Sequence, residues 1–138
     1  MMNANTCALV VEDDPCVCER IAKNLLEWFP DFNVLHADTG EEALKHARKR
    51  ALKLVTVDSV IGGHPSRGPE LVRELRRILP HAVIIMVVSP LPWDDFVKKG
   101  REAGADDGLT KGANMIENLA IALVRAKLLL SVPETVQR

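Results

Sequence analysis

The nine residues CALVVEDDP, at positions 7–15, contain a predicted buried strand and the start of a predicted helix. Cys7–Val11 is continuously apolar, which is typical of a strand covered by helices on both faces of a parallel sheet. The run ends at three acidic residues. Pro15 then suits the first position of a helix, where its missing N–H would have no partner in any case. The segment therefore predicts a strand that leads through an acidic turn into a helix.

The alternation of an apolar, β-branched run with a stretch of helical period recurs five times along the chain. This order predicts one α/β unit built on a parallel sheet. The prediction of the last strand rests on its position in this alternation, because the segment is short and contains a glycine. The other predicted strands cover residues 32–37, 52–57, 83–88 and 108–110, and helices are predicted from Pro15 to the break at Pro30, after Thr39, from Pro69 to Pro80, over residues 93–103, and from Asn114 to Leu130.

Residues suited to capping precede three of these helices. Asp14 stands before the first helix, Thr39 forms a capping box with Glu42, and Asn114 stands before the last helix. Side-chain oxygens at such positions accept hydrogen bonds from N–H groups that a helix leaves unpaired. We therefore interpret Asp14 as a helix cap rather than as a metal ligand.

Length and composition fit one globular domain. The chain has 138 residues, 47% of them hydrophobic, which suffices for one core. We expect the domain to occupy residues 5–131 and residues 132–138 to form a frayed tail. The 18 basic and 19 acidic residues nearly cancel, so a net charge of -1 favours neither nucleic acid nor an anionic membrane as a direct partner.

Several features predict a cytoplasmic protein. The longest apolar run, at residues 82–88, is far shorter than the roughly 20 residues that cross a bilayer. The polar start of the chain lacks the pattern of a secretory signal. Cys7, Cys16 and Cys18 are expected to be reduced, because a domain of this size does not need a disulfide. Cys16 and Cys18 point to different faces of a helix, which disfavours a metal site there.

Polar residues stand where four of the predicted strands end. Glu12 and Asp13 follow the first strand, Asp58 ends the third, Ser89 follows the fourth and Lys111 follows the fifth. The carboxyl ends of parallel strands share one edge of a sheet, where ligands bind. We therefore expect these five side chains, which come from distant segments, to converge.

The chemistry of this set favours phosphoryl transfer. Three neighbouring carboxylates repel one another, and a hard divalent cation such as Mg²⁺ holds them ionised. An oxygen nucleophile and positive charge on the equatorial oxygens are what a transferred phosphoryl group requires. Asp58 would be the nucleophile, giving an aspartyl phosphate, with Lys111 and the Ser89 hydroxyl contacting the phosphoryl oxygens.

The run VVEDD at 10–14, the strand ends at Asp58 and Ser89, and GADDGLTK at 104–111 together resemble the receiver domain of response regulators in two-component signalling. The resemblance covers nearly the whole chain. It implies a flavodoxin-like, doubly wound sheet of five parallel strands with helices on both faces. The site residues that it implies are Glu12, Asp13, Asp58 and the main-chain carbonyl of Val60 for Mg²⁺ (or Mn²⁺), and Asp58, Ser89 and Lys111 for the phosphoryl group.

The resemblance implies a signalling switch rather than an enzyme with a separate substrate. Such domains take a phosphoryl group from a histidine kinase or a phosphotransfer protein, hydrolyse it again, and signal through an output partner. A homodimer through the fourth and fifth helices and the fifth strand also resembles family practice. Residues 131–138 suit the start of a linker, so a free-standing regulator and a piece of a longer protein both fit.

Several positions depart from the family pattern. Gly108 replaces an aromatic residue whose ring moves on phosphorylation, and Gly112 replaces the proline after the lysine. Pro90 replaces a small residue, and the loop after Asp58 is about two residues longer than usual. The metal and phosphoryl chemistry should survive these changes, whereas the usual route from Asp58 to the output surface is in doubt.

The departures support a second hypothesis, a degenerate receiver that only docks a partner. A third hypothesis, a small hydrolase of external phosphate esters, is weakened because nothing resembles a general acid beside Asp58 or a substrate pocket. Surface or turn roles are expected for His36, His46 and His81, and only His64 lies in the loop beside the site. Phosphodonor treatment separates the first two hypotheses.

Overall fold

The structure, a computed structural model, describes residues 6–64, 66–89 and 94–137, with side chains for all of these except 94–96 and 137. Within these residues the strands are β1 (Cys7–Val11), β2 (Asn33–Ala37), β3 (Leu52–Asp58), β4 (Val83–Val88) and β5 (Asp107–Thr110). They form one sheet in the order β2-β1-β3-β4-β5, and each neighbouring pair is parallel. The chain runs outward in both directions from β1, so the predicted doubly wound α/β fold is confirmed.

Helices cover both faces of the sheet. They are α1 (Pro15–Trp28), α2 (Gly40–Lys49), α3 (Arg67–Ile78), α4 (Asp94–Ala103), α5 (Met115–Arg125) and the short α6 (Glu134–Gln137). Side chains of α2, α3 and α4 pack into one apolar core with Leu9 and Val11, while α1 and α5 pack into a second core with Ala8 and Val10. None of the helices within the described ranges is long and apolar enough to span a bilayer.

The continuous apolar sequence of β1 follows from this two-sided burial. All five residues of β1 are buried, and successive side chains enter opposite cores. A polar residue on either face would lose its contacts with water without gaining a partner. Each large apolar side chain removed from water contributes about 2 kcal/mol, so both faces of the central strands stabilise the fold.

Two of the three predicted helix caps are present. The Asp14 carboxylate accepts hydrogen bonds from the N–H groups of Cys16 and Val17, at 2.9 and 3.5 Å. Thr39 Oγ1 accepts one from the Glu42 N–H at 3.2 Å. The prediction for Asn114 was wrong, because its side chain makes no capping bond and its backbone, with ψ 15°, is not extended.

Some element boundaries differ from the sequence prediction. The third helix begins at Arg67, two residues before Pro69, because a proline in the first turn sacrifices no helical hydrogen bond. Strand β2 begins at Asn33 and β5 at Asp107, each one residue from its predicted start. The predicted start of the fourth helix at Trp93 lies outside the described residues.

The last long helix ends earlier than its apolar spacing predicted. Helix α5 stops at Arg125, and Lys127 takes a positive φ of 64° that turns the chain. Leu128 and Leu129 then pack against the core beside α1 and α5, whereas Leu130 is fully exposed. The predicted extension of the helix to Leu130 was therefore wrong, because the chain turns after Arg125 and Leu130 is exposed.

The segment predicted to be a frayed tail contains a short helix. Helix α6 (Glu134–Gln137) lies against α5. With one turn only, such a helix depends on tertiary contacts for its stability.

Arg76 ties together three segments at the edge of the sheet opposite the carboxyl ends of the strands. Its Nε donates to the Gly104 carbonyl at 2.9 Å, and its Nη1 donates to the Ala82 carbonyl at 2.7 Å and to the carbonyls of Leu79 and Pro80 at 3.2 and 3.3 Å. Its Nη2 pairs with Asp106 at 2.7 Å. One planar guanidinium thus joins the end of α3, the start of β4 and the turn before β5.

Candidate functional site

The carboxyl ends of the strands bring the predicted site residues to one edge of the sheet. Asp58 is the last residue of β3 and pairs in register with Val87 of β4. Ser89 follows the end of β4, and the Lys111 N–H donates to the Val88 carbonyl at 2.7 Å. Parallel pairing therefore places residues from three strand ends side by side.

Three acidic side chains form a compact cluster at this edge. Carboxylate oxygens of Glu12, Asp13 and Asp58 all lie within 4.8 Å of one another. Glu12 and Asp58 are only 2% and 3% exposed, whereas Asp13 is exposed. The sequence prediction that distant acids converge is thus supported by the geometry, and the cluster opens to solvent on the side of Asp13.

Lys111 supplies the positive charge of the cluster. Its Nζ lies 3.0 Å from Glu12 Oε1 and 3.2 Å from Asp58 Oδ2. Burial by itself lowers the pKa of Lys111, but the hydrogen bond to Glu12 and the charges of Asp58 and Glu12 outweigh it and raise the pKa above 10.5. The ammonium therefore stays charged and screens two buried carboxylates from each other.

Glu12 has an unusual protonation behaviour. Burial is the main cause that raises its pKa to about 7, and the hydrogen bond and the negative charge of Asp58 add to the shift, while Lys111 opposes it. Glu12 Oε2 accepts hydrogen bonds from the Asp14 N–H at 3.2 Å and from Lys111 at 3.3 Å. Glu12 Oε1 is buried and pairs with the Lys111 ammonium at 3.0 Å.

The loop after Asp58 folds back over the acidic cluster. The Val60 N–H donates to Asp58 Oδ1 at 3.1 Å, and the Gly62 N–H donates to Asp13 Oδ2 at 3.4 Å. Gly62 and Gly63 have φ of 61° and 76°, which favours glycine, and they turn the chain so that Ile61 and His64 form an antiparallel bridge. The additional loop residues thus build a small turn beside Asp13, with His64 exposed on it.

Two predicted contacts stay predictions. Ser89 is half-buried at the edge of the sheet that carries Asp58, and it follows Val88, whose carbonyl accepts the Lys111 N–H. The predicted contact of its hydroxyl would form only with a phosphoryl group bound. The proposed role of the Val60 carbonyl as a ligand likewise concerns a bound cation.

His36 was assigned a surface role from the sequence, and the structure places it beside the cluster. Its Nε2 lies 3.1 Å from the Glu12 carbonyl oxygen and 2.8 Å from Asp38 Oδ1. Both partners are acceptors, so Nε2 must carry a hydrogen. The Glu12 N–H also donates to the Ala37 carbonyl at 3.1 Å, so the end of β2 holds the Glu12 backbone on both sides. The alternation of β2 gave no signal for this contact.

Gly68 fixes the backbone that carries Asp58. A Cβ at position 68 would lie 2.6 Å from Ser59 Cα and 2.7 Å from the Asp58 carbonyl oxygen, which are backbone atoms that cannot rotate away. We expect Gly68→Ala to lower the free energy of unfolding by about 2 kcal/mol, because α3 or the end of β3 must shift. Urea unfolding followed by circular dichroism measures this change.

Ser66→Ala is the control for Gly68→Ala. Ser66 is exposed and makes no capping hydrogen bond at the start of the same helix. Its replacement should change the free energy of unfolding by less than about 0.5 kcal/mol. Equal unfolding midpoints for Gly68→Ala and the parent would show that position 68 tolerates a side chain.

The acidic cluster suits a hard divalent cation. Its donor atoms are carboxylate oxygens, which Mg²⁺ and Mn²⁺ prefer, and one oxygen from each of the three acids lies within 4.8 Å of the others. Asp13, the exposed member, faces the side from which an ion would enter. The residues present therefore fit such a cation.

Comparison with known proteins identifies the family. The family model described as "Response regulator receiver domain" matches residues 8–122, which spans β1 to α5. The chain belongs to the response regulator receiver domain family. The resemblance predicted from the strand ends is therefore confirmed.

Individual relatives of this receiver domain are longer proteins. The response regulator GacA of Pseudomonas viridiflava is 35% identical over 119 residues, which cover 86% of this chain and 54% of GacA. A cyclic di-GMP phosphodiesterase of Thermotoga maritima is 33% identical over 109 residues, covering 78% of this chain and 27% of that protein. The chain thus spans about half of one relative and about a quarter of the other.

Solved structures show the same fold. A response regulator from Burkholderia pseudomallei, solved with a phosphorylated aspartic acid, calcium ion and citrate, superposes with a TM-score of 0.72 at 26% identity, covering 93% of this chain and 75% of that one. A two-component response regulator of the LuxR family from Aurantimonas sp. SI85-9A1 superposes with a TM-score of 0.70 at 28% identity, covering 88% and 85%.

Val97 of α4 lies beside Gly108, the position at which the resemblance implies an aromatic residue. A Cβ at Gly108 would lie 3.1 and 3.4 Å from the two methyl groups of Val97 on α4. The side of β5 from which a ring would project is therefore occupied by α4. Gly112, which replaces the proline after Lys111, has a φ of 138° that side chains rarely adopt.

Proposed function

We propose that this receiver domain accepts a phosphoryl group on Asp58 in a reaction that requires Mg²⁺ or Mn²⁺. The observation that carries the proposal is the position of the Asp58 carboxylate, which ends a central strand, contacts Lys111 at 3.2 Å and shares a cluster with Glu12 and Asp13. The phosphorylated aspartic acid in the Burkholderia pseudomallei relative supports the same chemistry here.

Each residue of the site has a separate role in this proposed reaction. An oxygen of Asp58 attacks phosphorus and forms the new P–O bond, while the bond to the donor's leaving group breaks and takes the electron pair with it. Lys111 lies close enough to Asp58 to neutralise charge on a phosphoryl oxygen, and the Ser89 hydroxyl would donate to another. When bound, the divalent cation supplies positive charge to the remaining phosphoryl oxygens. Glu12, Asp13, Asp58 and the Val60 carbonyl would hold it.

We infer that the phosphoryl donor is a histidine kinase or a phosphotransfer protein and that the chain works in the cytoplasm. Family membership supports the donor. Cys16 and Cys18 are free thiols, which is typical of a reducing compartment. The protein that is modified in this scheme is the chain itself, because the phosphoryl group is attached to its own Asp58 and is later removed by hydrolysis of the aspartyl phosphate. A partner protein then binds according to whether Asp58 is phosphorylated.

Acetyl phosphate with Mg²⁺ tests the proposal on the purified chain. Transfer to Asp58 releases acetate and raises the mass of the protein by one phosphoryl group, which intact mass spectrometry detects. Omission of the cation or addition of a chelator should prevent the gain. Two negative results together would favour a docking module instead: no gain in mass with acetyl phosphate, and no spectral change on addition of beryllium fluoride.

Cation binding should depend on pH, because the pKa of Glu12 is raised to about 7 and a carboxyl group must be deprotonated to bind a metal ion. The raised pKa means that the proton is held below neutral pH and lost above it, so the affinity should rise with pH. Between about pH 6 and about pH 8 we expect Mg²⁺ to bind roughly tenfold more tightly. Isothermal titration calorimetry at both pH values measures the ratio.

Glu12→Gln is the control for this pH dependence. Gln keeps the shape of the side chain but does not titrate, so binding should be weaker and nearly independent of pH over the same range. An equally steep dependence in this variant would assign the proton to another group.

A docking role without phosphorylation has one supporting observation. Gly108 lacks the side chain that would move, and Val97 occupies the adjacent space. The acidic cluster and Lys111 are nevertheless complete, and a module that only docks has no need of two buried carboxylates. Phosphoryl acceptance therefore remains the better proposal.

A further inference from the structure

A groove open to solvent, with a volume of about 570 Å³ and called the cavity below, lies at the edge of the sheet opposite Asp58. It is bounded by the first residues of β3 and β4, by the turn between α3 and β4, and by the segment after α5. Its volume falls in the range of ligand pockets in proteins. Its apolar walls include Leu52, Ile78, Leu79 and Leu128.

Basic residues surround this cavity. Lys53 and His81 line it, and no Asp or Glu of the described residues does. Arg50, Arg77 and Lys127 each adjoin a lining residue in the sequence and are exposed. An occupant would therefore meet an apolar interior and a cationic rim.

The rim continues into a larger surface that we call the basic face. Helix α2 packs against α3, and the stretch between Ala43 and Val57 contains no acidic residue. All members of the basic face are exposed, and none is ion-paired with a carboxylate in the described part of the chain. Its members are Lys45, Arg48, Lys49, Arg50, Lys53, Arg73 and Arg77.

We propose that the cavity and the basic face together dock an acidic protein segment that inserts an apolar side chain. Unpaired like charges on one surface repel one another, and an anionic partner relieves that repulsion and is steered toward it. An apolar side chain that fills the cavity supplies the anchor on which binding energy concentrates. Both requirements are met by one extended segment with acidic residues flanking a leucine, methionine or aromatic residue.

The cavity favours such a segment over nucleic acid. Single-stranded nucleic acid binds through phosphate contacts and stacks its bases on aromatic side chains. The described lining contains no aromatic residue other than His81, and its walls are aliphatic. An aliphatic cavity contributes little to a phosphate backbone but stabilises an apolar side chain.

The docking surface lies far enough from Asp58 to be occupied at the same time. Leu52 and Asp58 are the two ends of β3, so the cavity and the acidic cluster are separated by about 20 Å. The acidic cluster and the basic face thus lie at opposite ends of the strands. A partner could bind the basic face of both the phosphorylated and the unphosphorylated chain.

Selection from a random library tests this docking surface directly. Displayed peptides of about 12 residues are panned against the immobilised full chain, and the enriched sequences are synthesised and titrated by fluorescence anisotropy. We expect an excess of Asp and Glu around a common apolar residue. Binding should weaken between about 0.05 and 0.5 M NaCl, because exposed charges are screened.

Charge reversal identifies the surface used. Lys53→Glu combined with Arg77→Glu should weaken binding about tenfold or more. Arg20→Glu combined with Lys23→Glu on α1 makes the same change in net charge at exposed positions outside the basic face and should leave binding within about twofold. Circular dichroism melting verifies that both variants are folded, independently of any phosphorylation.

The proposal fails under three outcomes. The library yields no enrichment, the enriched peptides lack an acidic bias, or the two double variants weaken binding equally. Tighter binding of a single-stranded oligonucleotide than of the selected peptides, lost in the Lys53 and Arg77 variant, would assign the surface to nucleic acid instead.

Discussion

Asp58→Asn is expected to abolish phosphoryl incorporation from acetyl phosphate. The amide cannot attack phosphorus as the carboxylate does, and the only other described carboxylate in contact with Lys111 belongs to Glu12, whose pKa is raised to about 7 so that it holds a proton below neutral pH. The substitution also removes a negative charge from a crowded acidic cluster, so the fold should not be weakened. Intact mass spectrometry with Mg²⁺ present should show no gain in mass.

Asp38→Asn is the matched control for this experiment. Asp38 stands at the same edge of the sheet, pairs with His36 and lies outside the group of acids that share the cluster. Its variant should be phosphorylated as the parent is. Incorporation into Asp58→Asn at the parental level would place the acceptor elsewhere and remove the basis of the proposed function.

Arg76→Ala should be the most destabilising single substitution outside the cores. The guanidinium donates to four main-chain carbonyls and to Asp106, and its loss removes a donor from the partly buried carbonyls of Leu79, Ala82 and Gly104. We expect the free energy of unfolding to fall by about 3 kcal/mol, which corresponds to a fall in Tm of about 10 °C. Thermal melting followed by circular dichroism measures it.

Two further substitutions are controls for Arg76→Ala. Arg73→Ala removes an exposed arginine from the same helix, one that forms no ion pair within the described residues, and should cost less than about 0.5 kcal/mol. Arg76→Lys keeps the charge but not the planar fork of donors, so it should fall between the two. A melting temperature of Arg76→Ala equal to that of Arg73→Ala would mean that water replaces the guanidinium without cost.

The sheet and its functional edge were predictable from sequence because local and long-range signals agree there. Apolar runs such as Cys7–Val11 require burial on both faces, and only a parallel sheet between helices provides it. Once the strands are parallel, their ends must meet, so the convergence of Glu12, Asp58 and Lys111 follows without coordinates. The roles of these residues then come from ordinary carboxylate and ammonium chemistry.

Features that depend on contacts between distant segments escaped prediction. His36 is exposed, as predicted, but its contact with the Glu12 carbonyl was not foreseen because Glu12 follows another strand. Arg76 gave no signal because its acceptors lie on three different segments. The end of α5 was misplaced because Leu130 keeps a helical spacing with Leu119 and Leu123 although the chain turns at Lys127.

The net charge concealed the distribution of charge. A sum of -1 gave no reason to expect an anionic partner, yet residues 43–57 include five exposed cations and no acid, and α2 packs against α3, which carries the exposed Arg73 and Arg77. Summed charge is a property of composition, whereas attraction at close range depends on which charges share a surface. A count over each predicted element would have revealed this segment.

The contact between Gly108 and Val97 has a consequence for how this chain can diversify. The valine methyl groups lie 3.1 and 3.4 Å from where a Cβ at position 108 would lie. A larger side chain at 108 is therefore favoured by a smaller side chain at 97. We therefore expect an aromatic residue at 108 to be accepted more readily in a chain that already carries alanine or glycine at 97, so the order of the two substitutions matters.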